Sequence, residues 1–373
     1  MARATGATEI EELPEPDRLD GVPHPRATSR LFGHGAAERA LADGFASGRM
    51  HHGWLIAGPE GGGKATLAYR FARHVLARPS ERDRDGGSLE IAVETTAARQ
   101  VLALSHPGLL VIRRPWNAKA KRLVQVIPVD EVRRIKAFLA HTSEAGAFRV
   151  VIVDTADLLN VNAANALLKS LEEPPPRTFF LLLTAMPGRL LATIRSRCRV
   201  LEVAPLGEAD LRRAVLAALA PGEHAAPGPD DWSQLVRLAE GSPRRALALW
   251  LGGGLELDRR LGALLAGLPA VDWPAVHALA DEVASAAAAE RFEMLFDLLL
   301  KAIQRLVRAG AGLGAATPEA ALAGRLVPEA RLATWAELWE TIAREKSEAQ
   351  ALNLDRKSLI LQTFGRIGAT ARG

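Results

Sequence analysis

Gly58-Pro59-Glu60-Gly61-Gly62-Gly63-Lys64-Ala65-Thr66 has a spacing with chemical meaning: a glycine, four residues, then Gly-Lys. That is the spacing of a phosphate-binding P-loop. Gly58, Gly61 and Gly63 let backbone N–H groups turn inward on phosphate oxygens, and a following helix adds the partial positive charge of its N-terminus. Lys64 would reach the β- and γ-phosphates, so the loop reads as a site for ATP. Ala65 departs from the pattern, because a Ser or Thr there would hold Mg²⁺. Thr66 is next to it but points about 100° away around a helix. A second phosphate motif is also partial. Val150-Val151-Ile152-Val153-Asp154 is an apolar strand ending in an acid, in the manner of a Walker B strand. Hydrolysis in such folds needs a carboxylate directly after that acid to polarise water. Thr155 stands there and cannot act as a base. Asp157, three residues on, reads as facing elsewhere. Asp154 also has a plainer reading as a strand-end acid. The residues together predict a nucleotide fold with little or no hydrolysis by the chain itself.

The elements that must hold these residues follow from periodicity. Trp54–Ala57, Leu109–Ile112, Val150–Val153, Phe179–Leu183 and Val200–Val203 are short apolar runs of the kind that form buried strands. Val124–Ile127 is a further candidate strand. Helical periods over 36–46, 64–77, 130–140 and 162–171 alternate with them. Strands alternating with helices predict an α/β core, a mostly parallel sheet covered on both faces. Pro205 marks a change, and only helical periods follow it. The chain therefore divides into a disordered acidic tail over 1–28, a P-loop core over 29–205, a small helical domain over 206–268 and an all-helical domain over 269–373.

Composition narrows the class. With 373 residues, 48% apolar and 24% charged, the chain has ample material for buried cores and is not a disordered polymer. The first twenty residues carry a net charge of −4 and the remainder +8, which permits nucleic-acid contact without establishing it. One cysteine, Cys198, excludes an intrachain disulfide and a multi-cysteine zinc site. No apolar run reaches the roughly 18 residues of a membrane span, and the acidic start is not a secretory signal. A soluble cytoplasmic protein is expected.

Three further motifs are more specific. Asn162-Ala163-Ala164-Asn165-Ala166-Leu167-Leu168-Lys169, Leu171-Glu172-Glu173-Pro174-Pro175 and Ser196-Arg197-Cys198 resemble the bacterial clamp-loader subunits of the AAA+ class. The resemblance runs from about Leu31 to Val203. It continues more loosely through Gly241-Ser242-Pro243-Arg244 and Asn353-Leu354-Asp355-Arg356-Lys357. It implies an AAA+ core, a helical lid and a C-terminal collar that joins the subunits, which agrees with the division drawn from periodicity. Ala65 and Thr155 set the chain apart from the ATP-hydrolysing gamma/tau motor subunits of that class. The alternatives are such a motor subunit or another AAA+ DNA-processing ATPase.

The resemblance also assigns roles. Arg197 becomes an arginine finger, catalytic in trans at a neighbouring subunit's nucleotide. Its guanidinium would meet charge spreading at the γ-phosphate, an effect worth about 10³–10⁵ in rate. Thr184, ending the fourth strand, takes the place of a γ-phosphate sensor. Arg244 takes that of the lid arginine that reads nucleotide state. The plainer readings are a surface arginine paired with a local acid, a strand-end hydroxyl and a helix-start arginine. The implied partners are gamma/tau and delta clamp-loader subunits, with the sliding clamp and primed DNA reached through the assembly. Many clamp-loader subunits carry a four-cysteine zinc module between the first helix and second strand. Residues 79–107 contain no cysteine, the module being absent or replaced by a polar loop, and His51, His52 and His106 are scattered, so no zinc is expected. The basic run over 113–122, with Trp116, reads either as a DNA contact or as a solvated hairpin.

Overall fold

Strands that are apolar on both faces need cover on both faces, and that requirement organises the first part of the chain. The computed structural model describes residues 14–16, 18–82, 88–119, 122–140, 147–222, 224–313 and 318–373. The chain separates into two compact units, Met1–Leu247 and Ala248–Gly373.

In the first unit, β1 (Gly53–Ala57), β2 (Leu109–Ile112), β5 (Arg149–Asp154), β6 (Thr178–Thr184) and β7 (Arg199–Glu202) form one parallel sheet in the order β2-β5-β6-β1-β7. A separate hairpin pairs β3 (Trp116–Asn117) with β4 (Arg122–Leu123). Successive side chains on a strand point to opposite faces. Ile56, Val150, Ile152 and Leu181 therefore pack with Leu41, Leu67 and Phe71, from α1 (Gly35–Ala46) and α2 (Lys64–Leu76). Leu55, Val151, Phe180 and Leu182 pack with Val132, Ile135, Leu167 and Leu171. The latter four come from α4 (Val129–Ala140) and α5 (Val161–Glu172), which follow the short α3 (Thr96–Leu102). The five expected strands are present, as is the α/β class, but β7 at the sheet edge is mostly exposed rather than buried.

Three expectations are corrected. Val124–Ile127 is not a strand. The hairpin ends at Leu123, and of the four residues only Ile127 makes a bridge, to Leu159. The 79–107 segment is not only a loop. Thr95 caps α3 by accepting a hydrogen bond from the Ala98 N–H, and Ala98 and Val101 are buried. The third correction concerns the supposed tail. Its residues 1–13 and 17 lie outside the described residues, but 14–16 and 18–28 run against the core. Glu15 pairs with Arg26 and Arg113. Burial pushes the Glu15 carboxyl up, yet hydrogen bonds from Arg26 and then Arg113 hold it below the ordinary carboxylate range. Arg73 on α2 donates to the Thr28 carbonyl at 2.8 Å, and burial, then nearby Arg70, lowers its pKa to about 10. Prolines and charges looked like disorder in the sequence, but Glu15 and Arg26 have fixed partners.

After α6 (Ala192–Arg195) and β7, α7 (Glu208–Leu219), α8 (Pro229–Ala239) and the start of α9 (Pro243–Leu251) complete the first unit. They bury Leu211, Val215, Trp232, Leu235 and Leu238.

The second unit is helical throughout: α10 (Gly254–Ala266), α11 (Trp273–Val283), α12 (Ala289–Gly310), α13 (Pro318–Leu326), α14 (Leu332–Leu352) and α15 (Arg356–Arg372). Phe292, Phe296, Trp335 and Phe364 fill its core. The helical period over 255–265 was grouped with the small domain ending at 268, but α10 packs on α12 and belongs to this unit. No helix among the described residues is long and apolar enough to cross a membrane.

Candidate functional site

The carboxyl ends of parallel strands are where open α/β sheets bind ligands. Here β1 ends at Ala57 and the glycine loop follows at once. Gly61 has φ +68° and Gly63, which caps α2, has φ +100°, a region that favours glycine. Gly58 is fixed by space. A Cβ there would lie 2.2 Å from the Val203 carbonyl oxygen. Lys64 is only 8% exposed, and its Nζ donates to the Gly58 carbonyl at 2.8 Å and the Pro59 carbonyl at 2.6 Å. Burial lowers its pKa, while Asp154, Glu60 and Asp157 pull the other way.

His34 braces the loop from outside. Its Nε2 lies 2.7 Å from the Gly62 carbonyl, which can only accept, so that nitrogen carries the proton. Burial lowers the His34 pKa against the opposing pull of Gly62 and Asp210. The segment before α9 docks on the loop's other side. Ser242 Oγ donates to the Glu60 carbonyl at 2.9 Å, and Arg244 N–H lies 3.4 Å from the Gly61 carbonyl. Arg244 Nη2 reaches back 3.3 Å to the Arg18 carbonyl.

These elements enclose a cavity of about 620 Å³. Its polar end includes Gly61–Thr66, Asp154, Asp157 and Arg244, while Leu19, Val22, Leu31, Leu206 and Ala218 supply apolar wall. A concave site with an apolar wall and a few convergent polar groups suits a small organic anion. A nucleotide fits it, with the glycine nest and Lys64 for phosphates. Mg²⁺ fits poorly, because Ala65 offers no oxygen.

The remaining expected residues divide. Gly58 supports the loop without lining the cavity. Thr184 is fully buried behind it. Its hydroxyl donates to Asp157 Oδ1 at 2.6 Å and accepts from Met186 N–H at 3.0 Å. Asp157 was expected to face elsewhere, and it does not. A 3-10 turn over Ala156–Leu158 brings it into the cavity, where its Oδ1 also accepts from Ala185 N–H. Arg114 and Arg189 also line the cavity and were not singled out for it.

Arg197 is elsewhere. The register sets Trp54 beside Arg199, so Arg197 stands at the amino end of β1, where Gly53 approaches its carbonyl. Its side chain is 36% exposed. It pairs with Glu172 at 2.8 Å and donates to the Thr193 carbonyl at 3.0 Å. The local acid pairing foreseen for a surface arginine is thus present. Burial pushes the thiol of adjacent Cys198 up to about 11, which disfavours its thiolate. His51 and His106 make local backbone hydrogen bonds, and His52 Nε2 lies 2.9 Å from the Leu171 carbonyl. No metal-binding cluster of His, Cys, Asp and Glu is found among the described residues.

A glycine loop at the carboxyl edge of a five-stranded parallel sheet, with helices following it in the chain and docked on the loop, defines a P-loop fold of the AAA+ type. Residues 33–207 match the family described as DNA polymerase III, delta subunit. The chain is 33% identical over 266 residues to DNA polymerase III subunit delta' of Escherichia coli K12, covering 71% of this chain and 73% of that one. It is 38% identical over 209 residues to the delta' subunit of Pseudomonas aeruginosa, covering 56% and 58%. The tau subunit of E. coli K12 is 31% identical over 225 residues, 60% of this chain and 32% of that one. The chain belongs to the DNA polymerase III delta' family. The match spans little more than half the length of the Pseudomonas relative.

Proposed function

We propose that the chain works as the delta' subunit of a bacterial clamp loader, in the DNA polymerase III holoenzyme, and that it contributes to ATP hydrolysis in trans. It would sit beside a gamma/tau-type motor subunit, with a delta subunit in the same soluble cytoplasmic assembly. Arg197 would enter the motor's nucleotide site. ATP binding would lock the ring that opens the sliding clamp at primed DNA, and hydrolysis would release it. The helices of 248–373 would form the collar that joins the subunits.

The observation that carries this reading is the placement of Arg197. Its own glycine loop follows the opposite end of β1, a strand of five residues or roughly 17 Å. Arg197 therefore does not serve the chain's own loop, yet it is exposed and aimed by Glu172 and the Thr193 carbonyl. That exposed pairing costs only about 0–1 kcal/mol to exchange for a phosphate. In its own cleft the chain would hold a nucleotide with the glycine nest and Lys64, with Arg244 at the lid. Asp154 is followed by Thr155 and not by the carboxylate that would activate water, and Thr184 reaches the cleft only through Asp157.

The test is ATP turnover by the purified chain, alone and mixed with a gamma/tau-type subunit on primed DNA. Silence alone, with a stimulation in the mixture that needs Arg197, is expected. Undiminished DNA-stimulated turnover with Arg197→Ala would refute the trans role. Turnover by the chain alone would make it a motor subunit instead.

A further inference from the structure

The charge of the cleft is at odds with an ordinary magnesium-dependent site, which sets a loop lysine and a metal against the phosphates. Of the usual metal donors the loop hydroxyl is missing, which leaves Asp154 as the one carboxylate of that pair, and the nearby Asp157 is already engaged. Ala65 has no oxygen, and Asp157 Oδ1 accepts from both Thr184 Oγ1 and Ala185 N–H. Cationic side chains compensate. Arg30, Lys64, Arg114, Arg189 and Arg244 line the cavity against Glu60, Asp154 and Asp157. The surplus is two positive charges, equal to the charge a divalent cation would bring.

Two of these arginines stand where the strand order directs phosphates. Ile112 is level with Val153, so Arg114 lies just past the end of β2, at the edge where Asp154 ends β5. Arg189 closes the 3-10 turn Pro187–Arg189 that follows β6, the neighbour of β1. Neither guanidinium is hydrogen-bonded or ion-paired among the described residues. The contrast with Arg113 is informative, because that adjacent residue is held by Glu15. A guanidinium presents a planar fork of donors that matches phosphate oxygens and never loses its charge.

We infer that this cleft binds a nucleoside di- or triphosphate without Mg²⁺, with Arg114 and Arg189 taking the metal's place as phosphate ligands. The inference rests on the reading that the chain's own loop takes a nucleotide. A DNA phosphate is the less favoured ligand, since both arginines line a concave cleft together with Lys64.

The experiment is titration of the full chain with ADP by calorimetry, once with Mg²⁺ and once with EDTA. Affinity is expected to differ by less than about threefold between the two buffers. Arg114→Ala and Arg189→Ala should each weaken ADP binding about tenfold in EDTA, with partial recovery in the Arg→Lys variants. Ala65→Ser should raise affinity in Mg²⁺ buffer only. Binding that requires Mg²⁺ in the wild type, or that ignores both arginine substitutions, would overturn the inference while leaving nucleotide binding intact. Loss of DNA affinity in the arginine variants at unchanged ADP affinity would overturn it in favour of nucleic acid. No ADP binding in either buffer would overturn the underlying reading of the loop itself.

Discussion

The two ends of β1 carry cationic residues in opposite states. At the carboxyl end Lys64 is buried, folded onto the Gly58 and Pro59 carbonyls, and enclosed by His34, Ser242 and Arg244. At the amino end Arg197 is exposed and held by one partly exposed acid and one carbonyl. The first arrangement is closed on itself, and a ligand must displace bonds already made. The second is open, and a ligand need only outcompete a weak surface pair. Under the proposed function one strand would separate a receiving end from a donating end, as a subunit with neighbours on two sides would require.

The largest effect should come from crossing the two ends. Arg197→Ala should cut hydrolysis at the site it faces by about 10³-fold or more, with no change in nucleotide affinity of this chain's own cleft. Lys64→Ala should do the converse. It should weaken this chain's ADP binding by about a hundredfold, measured calorimetrically, while leaving stimulation of the motor subunit unchanged. If either substitution moved both readouts, the two ends would not be independent. Gly61→Ala tests how tightly the closed end is built. A Cβ there would fall 2.5 Å from Arg244 Cβ and 2.6 Å from Ser242 Oγ at a positive φ. A loss of about 2 kcal/mol in chemical denaturation is expected, along with a cleft that opens more readily.

A smaller effect is expected from pH at the closed end. Burial keeps the folded His34 pKa low, so the folded protein binds that proton less readily than the unfolded chain. Its contribution is complete above the unfolded pKa of about 6.5 and is lost as the pH falls. The thermal midpoint should drop by a few degrees more between pH 7.5 and 5.5 in the wild type than in His34→Gln. The smallest effect belongs to the open end. Glu172→Gln should change stability by less than about 1 kcal/mol, because the pair is exposed, with at most a few-fold change in motor stimulation.

Much of this was legible in the residues. Fully apolar runs such as Leu109–Ile112 announce buried parallel strands because nothing else tolerates them, and the glycine loop is a local pattern. What was missed depended on distant partners. Asp157 looked misplaced because the turn that returns it has no apolar period. Thr184 was read as facing a ligand, whereas its hydroxyl is engaged by that same Asp157. Arg114 sat in a basic run whose members have different fates, decided by Glu15 far back in the chain. The 14–28 segment read as disorder because ion pairing to a remote surface leaves no periodic trace.

The wall that closes the cleft has a consequence for how the chain matures. The Arg244 to Arg18 hydrogen bond joins residues 226 apart. Contacts of such high contact order form late, since the loop between them must be closed first. On the ribosome the glycine loop emerges early, but it stays open until the segment around Ser242 has been synthesised. Under the proposed function, nucleotide affinity would therefore report that the first unit is complete. A chain truncated ahead of the lid would have every phosphate-binding glycine and no finished pocket.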